Sequence, residues 1–426
     1  MQQVASKNAP SPSVVVPHFV FGGIVWLLVT VLIFSSPQAF TQHYFNPMLL
    51  SITHLVVLGW ISMVIFGALY QLLSVIMEVK LYSEKLAFIS FGLLGIGTLL
   101  LAISFWNFWL GIPMRMAAVL LLLAVLFFAV NVFRTGNKSP KKSIEKRCIQ
   151  TAVVWLLFTV IAGFVLVVNL AQPFISTPHL ALLKLHAHMG IIGWFMLLIM
   201  GVSSRLFPMF MVSHQPNTQK LRNAYFLINT GLIIAVFCLF FQWNTGLIVS
   251  VVVVVLGIIY FLSFMLEVYR KRLKKRLDIG MKQSVFSLVV LLLPIAIIAV
   301  LNASITSTQS ITSPMAIVYG SSLLIGFITS LILGQTYKTL PFIIWLKVYR
   351  KRVGKEKIPF PKELYSDKVA HLQFWGFMIG FIIFLMAILL QSLKMVQIGG
   401  VLLFISALFY NYNLLTIVFH KPNGQD

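Results

Sequence analysis

The sequence predicts an all-α integral membrane protein of about twelve transmembrane helices, built as three parallel four-helix repeats around a pseudo-threefold axis. Three observations predict this. The 426 residues are 59% hydrophobic and only 10% charged, with a mean hydropathy of +0.97, which is more apolar surface than a soluble chain of this length can bury. The apolar residues fall in successive runs of roughly 20, the length that crosses about 30 Å of hydrocarbon as a helix. One constellation of residues recurs along the chain at a nearly constant offset.

The runs lie near 18–36, 49–76, 86–105, 112–133, 149–170, 182–212, 221–242, 246–268, 283–302, 314–346, 369–391 and 396–419. Lipid offers no partner to a backbone N–H or C=O, so each run must satisfy its own groups as a helix. The polar stretch 1–17 leads straight into a full-length run and lacks the charged n-region and short apolar core of a cleavable signal.

The net charge of +23 would suit a nucleic-acid binder, but its distribution argues against one. The basic loops 134–147, 270–282 and 347–368 alternate with the spans so that 29 of the 32 Lys and Arg fall on one face. Only Arg115, Lys184 and Lys394 fall on the other. This positive-inside pattern predicts a multi-pass protein of a bacterial-type inner membrane with both termini cytoplasmic, in contact with membrane lipid and not with nucleic acid. All nine acids (Glu78, Glu84, Glu145, Glu267, Asp278, Glu356, Glu363, Asp367, Asp426) lie on or near that face. No carboxylate is left at mid-membrane, where ion-coupled transporters commonly need one. Cys148 and Cys238 are too few for a disulfide framework or a thiolate metal site.

The repeat appears in the second, sixth and tenth spans. The second reads His54-Leu-Val-Val-Leu-Gly59-Trp60, then Gly67 and Gln71. The sixth reads His188-Met-Gly-Ile-Ile-Gly193-Trp194, then Gly201 and Arg205. The tenth carries Ser321, Gly326, Gly334 and Lys338. Ser83-Glu-Lys85-Leu86, Thr218-Gln-Lys220-Leu221 and Ser366-Asp-Lys368-Val369 repeat in the spans that follow. The expected repeats are 18–134, 149–268 and 283–420, within a single transmembrane domain. Four spans per repeat, an even number, give every repeat the same orientation, unlike inverted-repeat transporters. The paired glycines suit close helix packing. Arg205 and Lys338 are expected to snorkel at the cytoplasmic end, or to form a polar cluster with Tyr337 and His214.

The histidines are the candidate site. His43, His54, His179, His186 and His188 lie in the outer half or outer loops, while His18, His214, His371 and His420 lie toward the cytoplasm. His54 and His188 hold the same repeat position about one turn into the membrane. Neutral imidazole ligates iron or copper without bringing a charge into low dielectric. His186 and His188 are about 200° apart on a helix and cannot both reach one metal while the helix stays regular. His54 is therefore expected at a common heme or metal with one of the two. Repeat equivalence favours His188. Trp60, Trp194 and Phe66 would wall the site and Tyr319 would add a hydroxyl. His18, after Pro17, and His371 are expected as helix-end residues.

His186-Ala-His188-Met-Gly190-Ile-Ile-Gly193-Trp194 resembles the HxHxGxxGW helix of heme-copper oxidase catalytic subunits, especially the C-type oxidases and nitric-oxide reductases. His54-Leu-Val-Val-Leu-Gly59-Trp60 resembles the same helix. The resemblance favours His186 as the sixth-span ligand, since the first His of that motif faces the high-spin heme, whereas repeat equivalence favours His188. The twelve-span layout is similar to that superfamily over nearly the whole chain, and the length and His-rich spans look still more like the NnrS membrane proteins. Two departures matter. The HxH pair stands on the sixth span rather than the tenth, where Tyr319 and Ser321 take its place. The seventh span holds no histidine, so the three-histidine copper site of the oxidases cannot form in the same way. The resemblance implies a heme-binding, copper-capable membrane protein of nitric-oxide tolerance or respiratory metabolism. It would meet a small diatomic gas and an electron-donor protein, with His54, His186, His188 and Tyr319 at the cofactor and His54 and His188 at the metal. The alternatives are a divergent respiratory subunit reducing nitric oxide or oxygen, and a heme or copper transporter.

Overall fold

The computed structural model describes residues 8–214, 216–241, 243–305, 313–355 and 357–422. Glu356, Asp426 and the outer connection near residue 308 lie outside the described residues. Among the described residues, twelve helices are long and apolar enough to cross a membrane. They are α1 Pro12–Ser35, α2 Pro47–Ile76, α3 Glu84–Trp106, α4 Ile112–Asn137, α5 Ile144–Ala171, α6 His179–Met211, α7 Thr218–Phe240, α8 Thr245–Arg270, α9 Ile279–Ala299, α10 Ser313–Tyr349, α11 Asp367–Leu389 and α12 Leu393–Val418. Among the described residues there is no β-strand, only an isolated bridge between Ser213 and Arg272.

Local chemistry sets the helix starts. Asn46 caps α2 by accepting from Leu49 N at 2.9 Å, with Pro47 in the first turn. Ser143, Asn217, Asp278, Ser366 and Ser392 cap α5, α7, α9, α11 and α12 in the same way. Each supplies one of the orphan N–H groups of a first turn with an acceptor. Several helices outrun their hydrocarbon-length stretch. α5 begins at Ile144, so Glu145, Lys146 and Arg147 are helical although no lipid core would hold them.

The spans that carry the repeated motif differ from the rest in two ways. The most apolar windows of α2, α6 and α10 are 72, 61 and 83% buried, against 28–56% for the other nine. Each also contains an eight-residue π-helical segment, at Leu55–Ser62, Met189–Met196 and Ser322–Thr329. Residue 189 is 134 positions after 55, and 322 is 133 after 189, so the distortion recurs at the offsets of the sequence repeat. π-helical turns are rare, and many mark functional sites.

The chain divides into two compact units. The first comprises residues 1–10, 70–100 and 109–276. Within it α5 packs on α4 and α6, and α7 pairs with α8. The second comprises residues 11–69, 101–108 and 277–426. Within it α12 packs on α11 and α1, α9 on α10, and α1 on the π segment of α2. The repeated glycines serve these packings. A Cβ on Gly334 would stand 2.5 Å from Gly280 O, so only glycine lets α9 and α10 approach so closely.

Candidate functional site

His54 ends the first α-helical stretch of α2, directly before the π segment. Its Nδ1 lies 2.7 Å from Leu50 O one turn back. A carbonyl can only accept, so Nδ1 carries the proton and the Nε2 of the neutral ring carries the lone pair. The ring stacks on Phe105, with centroids 4.8 Å apart and planes 26° apart. The hydrogen bond that Ser51 Oγ donates to Ala102 O at 2.8 Å holds this α2–α3 contact. Trp60, six residues on, is fully buried and donates from Nε1 to Thr329 Oγ1 at 3.0 Å. Thr329 closes the π segment of α10 and donates in turn to Leu324 O, five residues back.

His188 has the same local geometry in the other unit. It precedes the π segment Met189–Met196, and its Nδ1 lies 2.7 Å from Lys184 O. The same tautomer follows. His186 takes a different partner, with its Nδ1 2.9 Å from Thr159 O of α5 and its ring against Gly163, where a Cβ would meet Cε1 at 3.0 Å. The two histidines thus engage different elements, as the roughly 200° between them requires. Trp194 is buried, with its ring near Phe128. Phe66 is buried on α2. Tyr319 stands half-buried on α10, two residues before Ser321, and its backbone carbonyl accepts from Ser322 Oγ at 2.8 Å.

Two residues depart from the sequence expectation. His18 is no helix-end residue. α1 starts at Pro12, capped by Ser11, and carries Pro17 inside it. That leaves His18 1% exposed, with Nδ1 2.8 Å from Val14 O and its Cβ against Gly67 of α2. The apolar run Val14–Val16 was the available signal, and Pro17 obscured it. Lys338 does more than snorkel. Its Nζ pairs with Asp278 Oδ2 at 2.7 Å, with side chains only 18 and 24% exposed.

Among the described residues no three His, Cys, Asp or Glu side chains stand close enough to hold a metal ion by themselves. The donor set is therefore one of single imidazoles, each with Nδ1 committed to a carbonyl. Metal-ligating histidines are commonly oriented in this way, by a carbonyl or carboxylate on the nitrogen that does not ligate. Isolated imidazoles of this kind would suit a heme, whose macrocycle brings most of the iron's ligands, better than a copper ion bound by protein ligands alone.

No family model matches the chain, and no curated protein matches it. Among solved structures, a chain from the cryo-EM structure of a heme-copper terminal oxidase dimer matches with a TM-score of 0.60 and 12% identity, over 97% of this chain and 85% of that one. At that identity the likeness speaks for architecture alone. The protein has the twelve-helix, heme-copper oxidase subunit I-like fold.

Proposed function

We propose that the protein is a heme-binding inner-membrane protein of nitric-oxide tolerance or respiratory metabolism, in which His54 and His188 are each a residue that would hold heme iron through Nε2. The observation that carries this reading is the shared geometry of the two histidines. Each stands at the same repeat position, immediately before a π-helical segment, with Nδ1 on the carbonyl four residues back and its lone pair on Nε2. The oxidase-like fold supports it. His371 also has Nδ1 on the carbonyl four residues back, Asp367 O. The hydrogen bond alone is therefore not diagnostic, and its pairing with the π segments is what singles out His54 and His188.

Bound heme iron would supply a site for a small diatomic gas, which partitions readily into lipid. The chain's own residues would hold and shield that site. Phe105 fixes the plane of the His54 ring, Leu50 O and Lys184 O fix the tautomers, and the buried Trp60, Phe66 and Trp194 keep water from their helices. An orientation with the basic loops and both termini cytoplasmic goes with this reading. Electrons would come from a partner protein.

The test is the absorption spectrum of protein purified from cells with ample heme. Wild type should show a Soret band. His54→Ala and His188→Ala should each remove or shift it with the protein still inserted, because insertion depends on the apolar spans. His371→Ala should leave it unchanged. An unaltered band in both ligand variants, or a wild type with neither heme nor metal, would overturn the proposal.

A further inference from the structure

Five oxidisable rings of the second unit form an unbroken row. Trp26 of α1 stacks on Trp60 of α2, with centroids 5.7 Å apart and planes 25° apart. Trp60 and Tyr410 of α12 are T-shaped, with centroids 5.5 Å apart. Tyr410 lies 6.4 Å from Tyr337 of α10, and Tyr337 lies 4.9 Å from Tyr365, in the segment between α10 and α11. Trp26 and Trp60 are fully buried, Tyr410 and Tyr337 are 1 and 3% exposed, and Tyr365 is 9% exposed.

Plain packing would favour phenylalanine here. Phe (36 residues) outnumbers Trp (9) and Tyr (12) together, and each buried indole N–H or phenol must find a partner or lose free energy. Among the described residues the Trp26 N–H has no hydrogen-bond partner. Every ring in the row is nevertheless one that can lose a single electron, and no phenylalanine interrupts it. The row passes at Trp60 through α2, the helix that carries His54 six residues earlier. It ends outside the spans, at a phenol beside the Asp278 and Asp367 carboxylates. Burial of that ring, and then the charge of the carboxylates, push its pKa up.

We propose that Trp26, Trp60, Tyr410, Tyr337 and Tyr365 are an electron relay that fills an oxidising vacancy in the membrane interior from the end of the molecule where the basic loops lie. A one-electron oxidant takes an electron from Trp60 or Trp26. Tyr410 reduces the indole and is left oxidised, Tyr337 reduces Tyr410, and Tyr365 reduces Tyr337. An external one-electron reductant then restores Tyr365. The oxidant gains one electron, the reductant loses one, and every ring returns to its starting state. Oxidation of the first phenol releases one proton, and each phenoxyl that is reduced takes up a proton as the next phenol gives one up, so the row as a whole is short of one proton while the vacancy is on a tyrosine. With the vacancy at Tyr365 that proton rests on the Asp278 or Asp367 carboxylate beside it, and it returns when the external reductant restores the phenol. Trp60 Nε1–H stays hydrogen-bonded to Thr329 Oγ1 at 3.0 Å and the Tyr410 hydroxyl to Thr336 Oγ1 at 3.3 Å in the reduced row. The natural oxidant is of the class of an oxidised metal cofactor at His54, and on that point alone the relay rests on the function proposed above.

The test needs no heme. Cys148 and Cys238 are buried, so a ruthenium polypyridyl photosensitiser can be attached selectively at Ile24→Cys, a 60% exposed position two residues from Trp26. Flash-quench oxidation of heme-free protein should produce an indole radical that decays as a phenoxyl radical grows, detected by transient absorption and by EPR after freeze-trapping. In Tyr410→Phe, which keeps the ring and its packing, the phenoxyl signal should be lost and the indole radical should persist. In Trp60→Phe no phenoxyl radical should form. Equal phenoxyl yield in Tyr410→Phe and wild type, or none in wild type, would overturn the relay. Because no heme is present, neither result bears on heme binding.

Discussion

Gly67→Ala tests a close approach between α1 and α2. A Cβ at residue 67 would stand 2.5 Å from His18 Cβ, 2.9 Å from His18 Cγ and 3.1 Å from Val15 O, where ordinary contact is 3.4–4 Å. The obstruction is the root of a side chain and a backbone oxygen, not a flexible tip. His18 is held by its bond to Val14 O, so α1 itself must retreat by about 1 Å. Overpacking of this kind costs about 1–3 kcal/mol, while Ala gains about 1 kcal/mol over Gly inside a helix. The net expectation is a loss of about 0–2 kcal/mol. Gly92 of α3 is the control, because a Cβ there meets nothing within 4 Å. Gly92→Ala should gain up to about 1 kcal/mol. The assay is the thermal unfolding midpoint of both variants in one detergent at one scan rate, since unfolding of such proteins is commonly irreversible. Gly67→Ala should fall below wild type or match it, and Gly92→Ala should rise above it. Equal stabilisation by both would refute the helix contact on which the placement of His18 depends.

Further outcomes follow from the ends of the spans. Lys338→Met removes the Lys338 ammonium from the Asp278 carboxylate at a largely enclosed site and should cost about 1–3 kcal/mol. Adding Asp278→Asn should recover part of that loss, because Asn keeps the cap on Met281 N. An effect within noise would make the pair a surface one. His420 Nε2 and Tyr349 OH share a hydrogen bond of 2.8 Å, and burial lowers the pKa of His420. The unfolded chain then binds more protons, so this stabilisation is present above about pH 6.5 and is lost as pH falls below it. The unfolding midpoint should drop on acidification less in His420→Gln than in wild type, and an identical pH profile would show that the pair adds nothing to stability. Reporter fusions after residues 140, 275 and 355 should read cytoplasmic and those near 42, 175 and 308 external, from the split of 29 basic residues to 3. One reversed loop would break the orientation.

Much of this architecture is legible in the chain, for physical reasons. A run of twenty apolar residues has one solution in lipid, so all twelve spans stand where hydropathy places them. Their ends were less legible. Hydropathy senses hydrocarbon, whereas helices end at caps, as Ser11 and Ser143 do for α1 and α5. Pro17 looked like a helix start, and the true start at Pro12 turns His18 from an end residue into a core one. The π segments were not legible at all. They are distortions of hydrogen-bond register with no composition of their own, and only the repeat offset marks where they fall. The Lys338–Asp278 pair was missed because its partners are 60 residues apart in the chain. His54 and His188 stand out in the sequence because they share a repeat position, and the divergence of His186 from His188 follows from helix geometry. The row of Trp and Tyr rings joins four spans and a loop, which no local pattern announces.

Whether this fold holds heme through single imidazoles is tested most directly by the heme and metal content of purified wild-type protein. Pyridine hemochrome assay and elemental analysis give the content, with the Soret band recorded before and after exposure to nitric oxide. Stoichiometric heme iron and a Soret band that shifts on gas binding are expected. Protein that is colourless and metal-free after expression with ample heme would contradict the assignment of His54 and His188 as ligands.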